Sequence, residues 1–326
     1  MFLINIKLTK STTPHMPTNL TFEVLIDEHF STLCVDKTLS PIDRKKILSI
    51  LNDFEDSKWR ISKFMDFIFD NVAETALTHK ERESLIGNPS SILTKSAQNL
   101  RLTDENDKIS RGSEMAEIVL YGIMKQYYKA LPVVPKIYYK QNTQDNAKGA
   151  DSVHIVLDDS GDFSVWFGEA KFYNSIEDAR LGEIITSVGN SLKLEKLKKE
   201  NGIITGVSDL DSLIEEPIIR ESIKNLLSSD RSIDDLKPKL HIPILLLYQC
   251  HLTSTQTLLN DTYKEELKNY HIARAESYFK KQIEKLGATV HLYEQVFFHL
   301  ILFPVPTKKY ATEKFISKVE FLKNNE

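Results

Sequence analysis

Cysteine is nearly absent. The 326 residues contain two, Cys34 and Cys250, too few for a disulfide framework or a cysteine-ligated zinc site, so a reducing cytoplasm is the expected setting. Glycine is scarce too, with 11 in all and none before Gly87, which favours helix over hairpins in the first third. No apolar run approaches the ~20 residues of a membrane span. The most apolar segments, Ile242–Leu247 and Val296–Val305, are short, or interrupted by His299 and Pro304, and have the character of buried strands. The start, Met1-Phe2-Leu3-Ile4-Asn5-Ile6-Lys7, carries too short an apolar run for a secretory signal and no small-residue cleavage site. Basic excess is missing as well: 42 Lys+Arg stand against 46 Asp+Glu, a net charge of −4. That excludes a chain that coats DNA through bulk charge, though not an enzyme with a local basic groove. There is no G-x-x-x-x-G-K-[ST], no G-x-S-x-G, no H-E-x-x-H and no C-x-x-C, so the chain has no P-loop of its own and none of these other common sites. Cys250-His251 are adjacent but have no partner ligands at useful spacing.

What is present is an ordinary globular mix, 41% hydrophobic and 27% charged, long enough for two domains. Residues 1–105 read as a mostly helical N-terminal domain, a candidate for partner docking. Thr21–Ile26 forms one strand, Asp43–Phe54 a helix entered at Ser40-Pro41, and Ile61, Phe64, Met65, Ile68, Phe69 and Val72 the core stripe of an amphipathic helix. Thr103–Lys108 is a polar linker. Residues 106–326 change texture. Arg111–Ala130 is a helix with Met115, Ile118, Val119, Gly122 and Ile123 on one face and Glu114, Glu117, Tyr121, Lys125 and Tyr128 on the other, stopped by Pro132 and Pro135. A strand at Lys136–Tyr139, a polar loop at Lys140–Gly149 and a hairpin of Asp151–Leu157 with Asp162–Phe172 follow. A helix from Ser175 then ends in the basic run Ser191–Lys199. Asp209–Lys239 supplies short helices, Ile242–Cys250 a buried strand, Leu258–Leu286 a long charged helix, His291–Val305 a last strand or strand pair, and Lys308–Lys323 a last helix. This order is an α/β architecture, a mixed sheet with helices on both faces.

The informative segments are Gly149-Ala150-Asp151 and Trp166-Phe167-Gly168-Glu169-Ala170-Lys171. Glu169 and Lys171, two apart on a strand, project from one face about 6.7 Å apart. The hairpin sets them beside the strand opened by Asp151. Two carboxylates suit Mg²⁺, which takes one or two and keeps several waters. A neighbouring lysine can orient or help deprotonate an attacking water, the chemistry of phosphodiester hydrolysis. An E-x-K alone carries nothing, since Glu266-Leu267-Lys268 is another, on a helix where i and i+2 share no face. The competing explanation for Glu169 and Lys171 is an edge-strand ion pair; the flanking Val165, Trp166, Phe167 and Phe172 argue against it, because charge amid aromatics is costly. His154 alternates out of phase with Asp151 and is expected to pack on the opposite side.

A helix with Glu, a strand with Asp, a strand with E-x-K and then a helix resemble the PD-(D/E)XK, or restriction-endonuclease-like, nuclease core. The fuller stretch from Arg111-Gly112-Ser113-Glu114-Met115-Ala116-Glu117 through Gly149-Ala150-Asp151 to Gly168-Glu169-Ala170-Lys171 resembles the HamA family, nuclease subunits of the Hachiman anti-phage defence system. The resemblance implies a Mg²⁺-dependent nuclease acting on DNA, with Mn²⁺ as a substitute. Asp151 and Glu169 match its metal carboxylates, Lys171 its water-positioning lysine, and Glu117 its helix carboxylate. Ala150 stands where the named motif has proline. Periodicity leaves both Glu114 and Glu117 open; spacing from Arg111-Gly112 favours Glu117. The implied partner is a superfamily 2 helicase subunit, HamB, which restrains the nuclease until foreign or damaged DNA is engaged. Weaker substrate candidates are Tyr173, which shares parity with Glu169, and Lys193 and Lys196, with Lys198 and Lys199 beside them; a basic helix end is also favourable against the helix dipole. The alternatives are a non-cleaving scaffold or inhibitor of the helicase on a degenerate nuclease fold, and a ribonuclease.

Overall fold

The computed structural model describes residues 20–102, 113–140, 149–207 and 209–324. The expected linker at Thr103–Lys108, the Arg111-Gly112 pair, the start Met1–Lys7 and most of the expected loop Lys140–Gly149 lie outside them.

The core is a seven-stranded mixed sheet. Its strands are β1 (Glu23–His29), β2 (Lys45–Leu51), β3 (Leu131–Val134), β4 (Ser152–Leu157), β5 (Phe163–Tyr173), β6 (Leu240–Gln249) and β7 (Phe297–Val305). The spatial order is β1-β2-β7-β6-β5-β4-β3. The central four run parallel, and β1, β4 and β3 join antiparallel at the edges. Strands buried on both faces need continuous apolar sequence, and Ile242–Leu247 and Phe298–Phe303 supply it, save for His299. Alternate residues feed opposite cores. Ile244, Leu246, Leu300 and Leu302 pack with Leu181, Ile184 and Val188 of α5 (Asp178–Ser191), Leu197 and Ile204 of α6 (Leu194–Gly206), and Tyr278 and Phe279 of α7 (Asp261–Leu286). Leu245, Leu247, Ile301 and Phe303 pack with Phe64 and Ile68 of α1 (Ile61–Ala76), Met115 and Val119 of α3 (Ser113–Gln126), and Phe315 of α8 (Lys308–Asn324). Helix α2 (Pro89–Gln98) lies against α1 and α8, and α4 (Lys136–Lys140) is a short turn after β3. Among the described residues no helix is long and apolar enough to cross a membrane.

Four expectations need correcting. The expected helix at Asp43–Phe54 is strand β2, hydrogen-bonded in parallel to β7 from the far end of the chain. Ile47, Leu48, Ile50 and Leu51 fit either period, and burial on both sides decides for strand. The first 105 residues are therefore not a helical unit apart: β1 and β2 extend the sheet that carries β5, and α1 packs on α3. The strand expected at Lys136–Tyr139 is displaced to Leu131–Val134, and Lys136–Lys140 is helical. The basic run does not end a helix: α5 stops at Ser191, and Lys193 is the N-cap of α6. The α3 face that carries Glu117 and Tyr121 is buried, with Tyr121 Oη donating to the Val134 carbonyl at 2.5 Å.

Candidate active site

The site forms where the β4–β5 hairpin meets α3, α4 and α5. Register fixes its first member: Ser152 lies opposite Gly168, and the Asp151 N–H donates to the Gly168 carbonyl at 2.8 Å. Asp151 thereby enters beside Glu169, and its Oδ2 accepts the Ala170 N–H at 3.1 Å. Lys171 Nζ lies 3.6 Å from Asp151 Oδ2 and 3.9 Å from Glu169 Oε2. Ser187 on α5 donates its hydroxyl to Glu169 Oε2 at 2.8 Å. From the other side, Lys140 at the end of α4 donates to Glu117 Oε2 at 2.8 Å and to Asp151 Oδ1 at 3.3 Å. The result is a row of alternating acidic and basic side chains: Glu117, Lys140, Asp151, Lys171, Glu169.

The backbone leading into Asp151 has its own support. Lys136 and Glu200 form a fully buried ion pair at 2.8 Å, and Glu200 Oε1 also accepts the Ala150 N–H at 2.9 Å. Helix α4 thus carries lysines at both ends, Lys136 tied to this support and Lys140 to the carboxylates. A cavity of about 290 Å³ opens onto the centre, lined by Asp151, Glu169, Lys140, Ser187, Asn190 and Lys196 among others.

Electrostatics separate the three acids. Burial pushes Glu117 up to about 7, with Lys140 opposing and Asp151 adding to the rise. Burial and the Asp151 charge push Glu169 up to about 8 against Lys171 and Ser187. Burial acts on Asp151 in the same direction, but the ammonium groups of Lys140 and Lys171 and the Ala170 N–H outweigh it and hold Asp151 below the usual carboxylate range. Lys140 and Lys171 are both raised: burial works against their charge, and the facing carboxylates overcome it. The facing carboxylates thus favour Lys171 as an ammonium, a hydrogen-bond donor.

The model of one protein family, HamA, matches residues 27–319. The chain belongs to the HamA family. Membership makes it a component of Hachiman defence, a system with partner proteins. No curated protein matches it.

In this HamA-family chain Asp151, Glu169, Lys171 and Glu117 come together, while the other expected residues divide. Glu114 points elsewhere: its carboxylate accepts the backbone N–H groups of Arg101 and Leu102 at 2.9 and 3.1 Å. Lys196 lines the site cavity, whereas Lys193 lines a neighbouring groove of about 880 Å³ with Lys198, Lys285 and His291. Tyr173 is half-buried against the α5–α7 core and is not among the cavity-lining residues. His154 is buried against the Tyr121 ring, 4.5 Å between centroids, as its parity requires. Lys140, Ser187 and Asn190 were missed; Ser187 and Asn190 sit one turn apart on the helix that follows the E-x-K strand, a spacing that directs both to one side.

Among the described residues no three His, Cys, Asp or Glu side chains gather into one ligand set; lysines stand between the carboxylates. The donor set still suits a hard cation. Glu117 Oε2 and Asp151 Oδ1 already share one positive group, Lys140 Nζ, and two carboxylates are as many as Mg²⁺ ordinarily takes from a protein.

Proposed function

We propose that this chain is the Mg²⁺-dependent DNA nuclease of its defence system, with a PD-(D/E)XK-type centre at Asp151, Glu169, Lys171 and Glu117. One observation carries this most: a single ammonium, Lys171, stands between the Asp151 and Glu169 carboxylates at 3.6 and 3.9 Å. Glu117 and Asp151, with Glu169 beside them, are the residues to hold the metal, which when bound would lower the pKa of water and neutralise charge on a phosphate. Lys171 orients the attacking water through its N–H donors and stabilises negative charge developing on the phosphate oxygens. Ser187 fixes the rotamer of Glu169, and the Lys136–Glu200 pair fixes the backbone from which Asp151 projects. Lys196, on the cavity wall, is placed to meet the substrate backbone.

The partner is a superfamily 2 helicase, HamB, which supplies ATP-driven sensing and restrains cleavage. A net charge of −4 fits a nuclease delivered to DNA by such a partner rather than by its own bulk charge. The lysines lodged between the carboxylates also fit a scaffold or inhibitor that never cleaves. Purified protein, alone and with the helicase, incubated with plasmid and Mg²⁺ separates the two: cutting is expected, and Lys171→Ala or Asp151→Ala abolishes it while helicase binding persists. Equal cutting by both variants would sink the site assignment. Parallel digestion of DNA and RNA decides the nucleic acid.

A further inference from the structure

Lys140 holds the place of a cation. Its Nζ lies 2.8 Å from Glu117 Oε2 and 3.3 Å from Asp151 Oδ1, while Lys171 serves the other oxygen of Asp151. The Glu117 and Asp151 side chains are 7% and 15% exposed, so little water shares in neutralising them. No strand or long helix carries Lys140. It ends the five-residue helix α4, whose first residue, Lys136, is locked to Glu200. The stem of Lys140 is therefore anchored, while its four-carbon chain, 28% exposed, has room to turn away. A divalent ion taking the same two oxygens would meet the ammonium at contact distance, and like charges so close in a partly buried site repel strongly.

We propose that Lys140 is a tethered cation that occupies the Glu117–Asp151 pair until a divalent metal displaces it, so that this lysine sets the metal affinity of the site. The inference rests on the metal-dependent function proposed above and adds regulation to that centre. It also makes the metal requirement a threshold, since binding must first pay for moving the lysine.

The test is Mn²⁺ binding to the full chain, measured by titration calorimetry and by the electron paramagnetic resonance signal of free Mn²⁺, with no nucleic acid present. Lys140→Met keeps the length of the stem and removes the charge; its Mn²⁺ dissociation constant should fall by about tenfold or more relative to wild type. Lys140→Arg keeps the charge and should give no gain. In Lys140→Met/Glu117→Gln the gain should vanish, because the oxygen for which lysine and metal compete has been altered. Thermal denaturation in EDTA and in Mn²⁺ guards against misfolding: Lys140→Met should melt lower than wild type without metal, where its carboxylates are uncompensated, and recover more with Mn²⁺. If Lys140→Met binds Mn²⁺ equally or more weakly while melting cooperatively, Lys140 is a support and the inference fails alone. If neither wild type nor Lys140→Met binds Mn²⁺, the metal-dependent function fails with it.

Discussion

The Glu200 carboxylate occupies the space that a side chain at position 149 would need: a Cβ built on Gly149 would lie 1.6 Å from Glu200 Oε1. That same oxygen accepts the Ala150 N–H and faces Lys136 Nζ, each at 2.9 Å. Glycine at 149 is thus a requirement of close approach, set by a buried ion pair and transmitted one residue on to Asp151.

Gly149→Ala should destabilise the chain by about 1–3 kcal/mol, the usual cost of overpacking, with Glu200 forced off the Ala150 N–H. Lys136→Met, which leaves Glu200 buried and unpaired, should cost more, about 3–5 kcal/mol. Urea denaturation measures both. A Gly149→Ala variant as stable as wild type would mean that Glu200 moves freely, and the support assigned to Asp151 would be lost.

The raised glutamates predict a pH dependence with a definite sign. A carboxylate whose folded pKa exceeds its unfolded value stabilises fully below the unfolded pKa and loses that contribution as pH rises through the folded one. For Glu117 and Glu169 the loss runs from about 4.5 up to about 7 and about 8. Buried His154, His241, His271 and His299, all held below the imidazole range by desolvation, act oppositely, adding stability with pH until about 6.5. Between about pH 7 and 8 the Glu169 trend dominates; above that Lys45, which burial lowers to about 8, adds stability as pH rises and opposes it. In EDTA the melting temperature should therefore fall between about pH 7 and 8, and Glu169→Gln should flatten that fall. Mg²⁺ should raise melting more at the upper end than at the lower. A wild type as flat as Glu169→Gln would contradict the burial argument.

Glu114 and Glu117 offer a matched pair on one helix. Glu114 caps the backbone of Arg101 and Leu102, whereas Glu117 reaches Lys140. Glu117→Gln should reduce plasmid cleavage by about a hundredfold or more, as loss of a transition-state electrostatic group does, without lowering the melting temperature at neutral pH, since burial disfavours the charge it removes. Glu114→Gln should leave cleavage near wild type and cost about 1 kcal/mol of stability. The reverse pattern would exchange their roles.

Asp151, Glu169 and Lys171 were legible because strand parity and a tight hairpin leave little freedom: two residues apart means one face, and hairpin strands are neighbours. Helical periodicity left Glu114 and Glu117 both open, and only the family resemblance, by spacing from Arg111-Gly112, favoured Glu117; in the fold Glu117 is buried and Glu114 is not. Lys140 was invisible, since a five-residue helix is too short to show a period and its partners come from α3 and the start of β4. Strand β2 was misread because its partner β7 lies at the other end of the chain, a pairing that no local pattern encodes.

The basic run after α5 was misplaced by one helix, and the correction reverses its electrostatics. Lys193 is the N-cap of α6, with Lys196 and Lys198 in the turns that follow. Cations at a helix N-terminus oppose the macrodipole, so fold stability does not account for them. Lys193 and Lys198 are exposed and line the groove next to the site cavity, and Asn190 belongs to both walls. Lys193→Glu/Lys198→Glu should therefore move two observables in opposite directions. Stability should rise by about 0.3–1 kcal/mol through the dipole. Affinity for a labelled oligonucleotide, measured by anisotropy, should fall, and the slope of log affinity against log salt should shrink by about one per lysine lost. Charge reversal at Lys264 and Lys268 on α7, away from the groove lining, controls for net charge. If the groove pair weakens binding no more than that control, these lysines are surface charge, and the track of the substrate lies elsewhere.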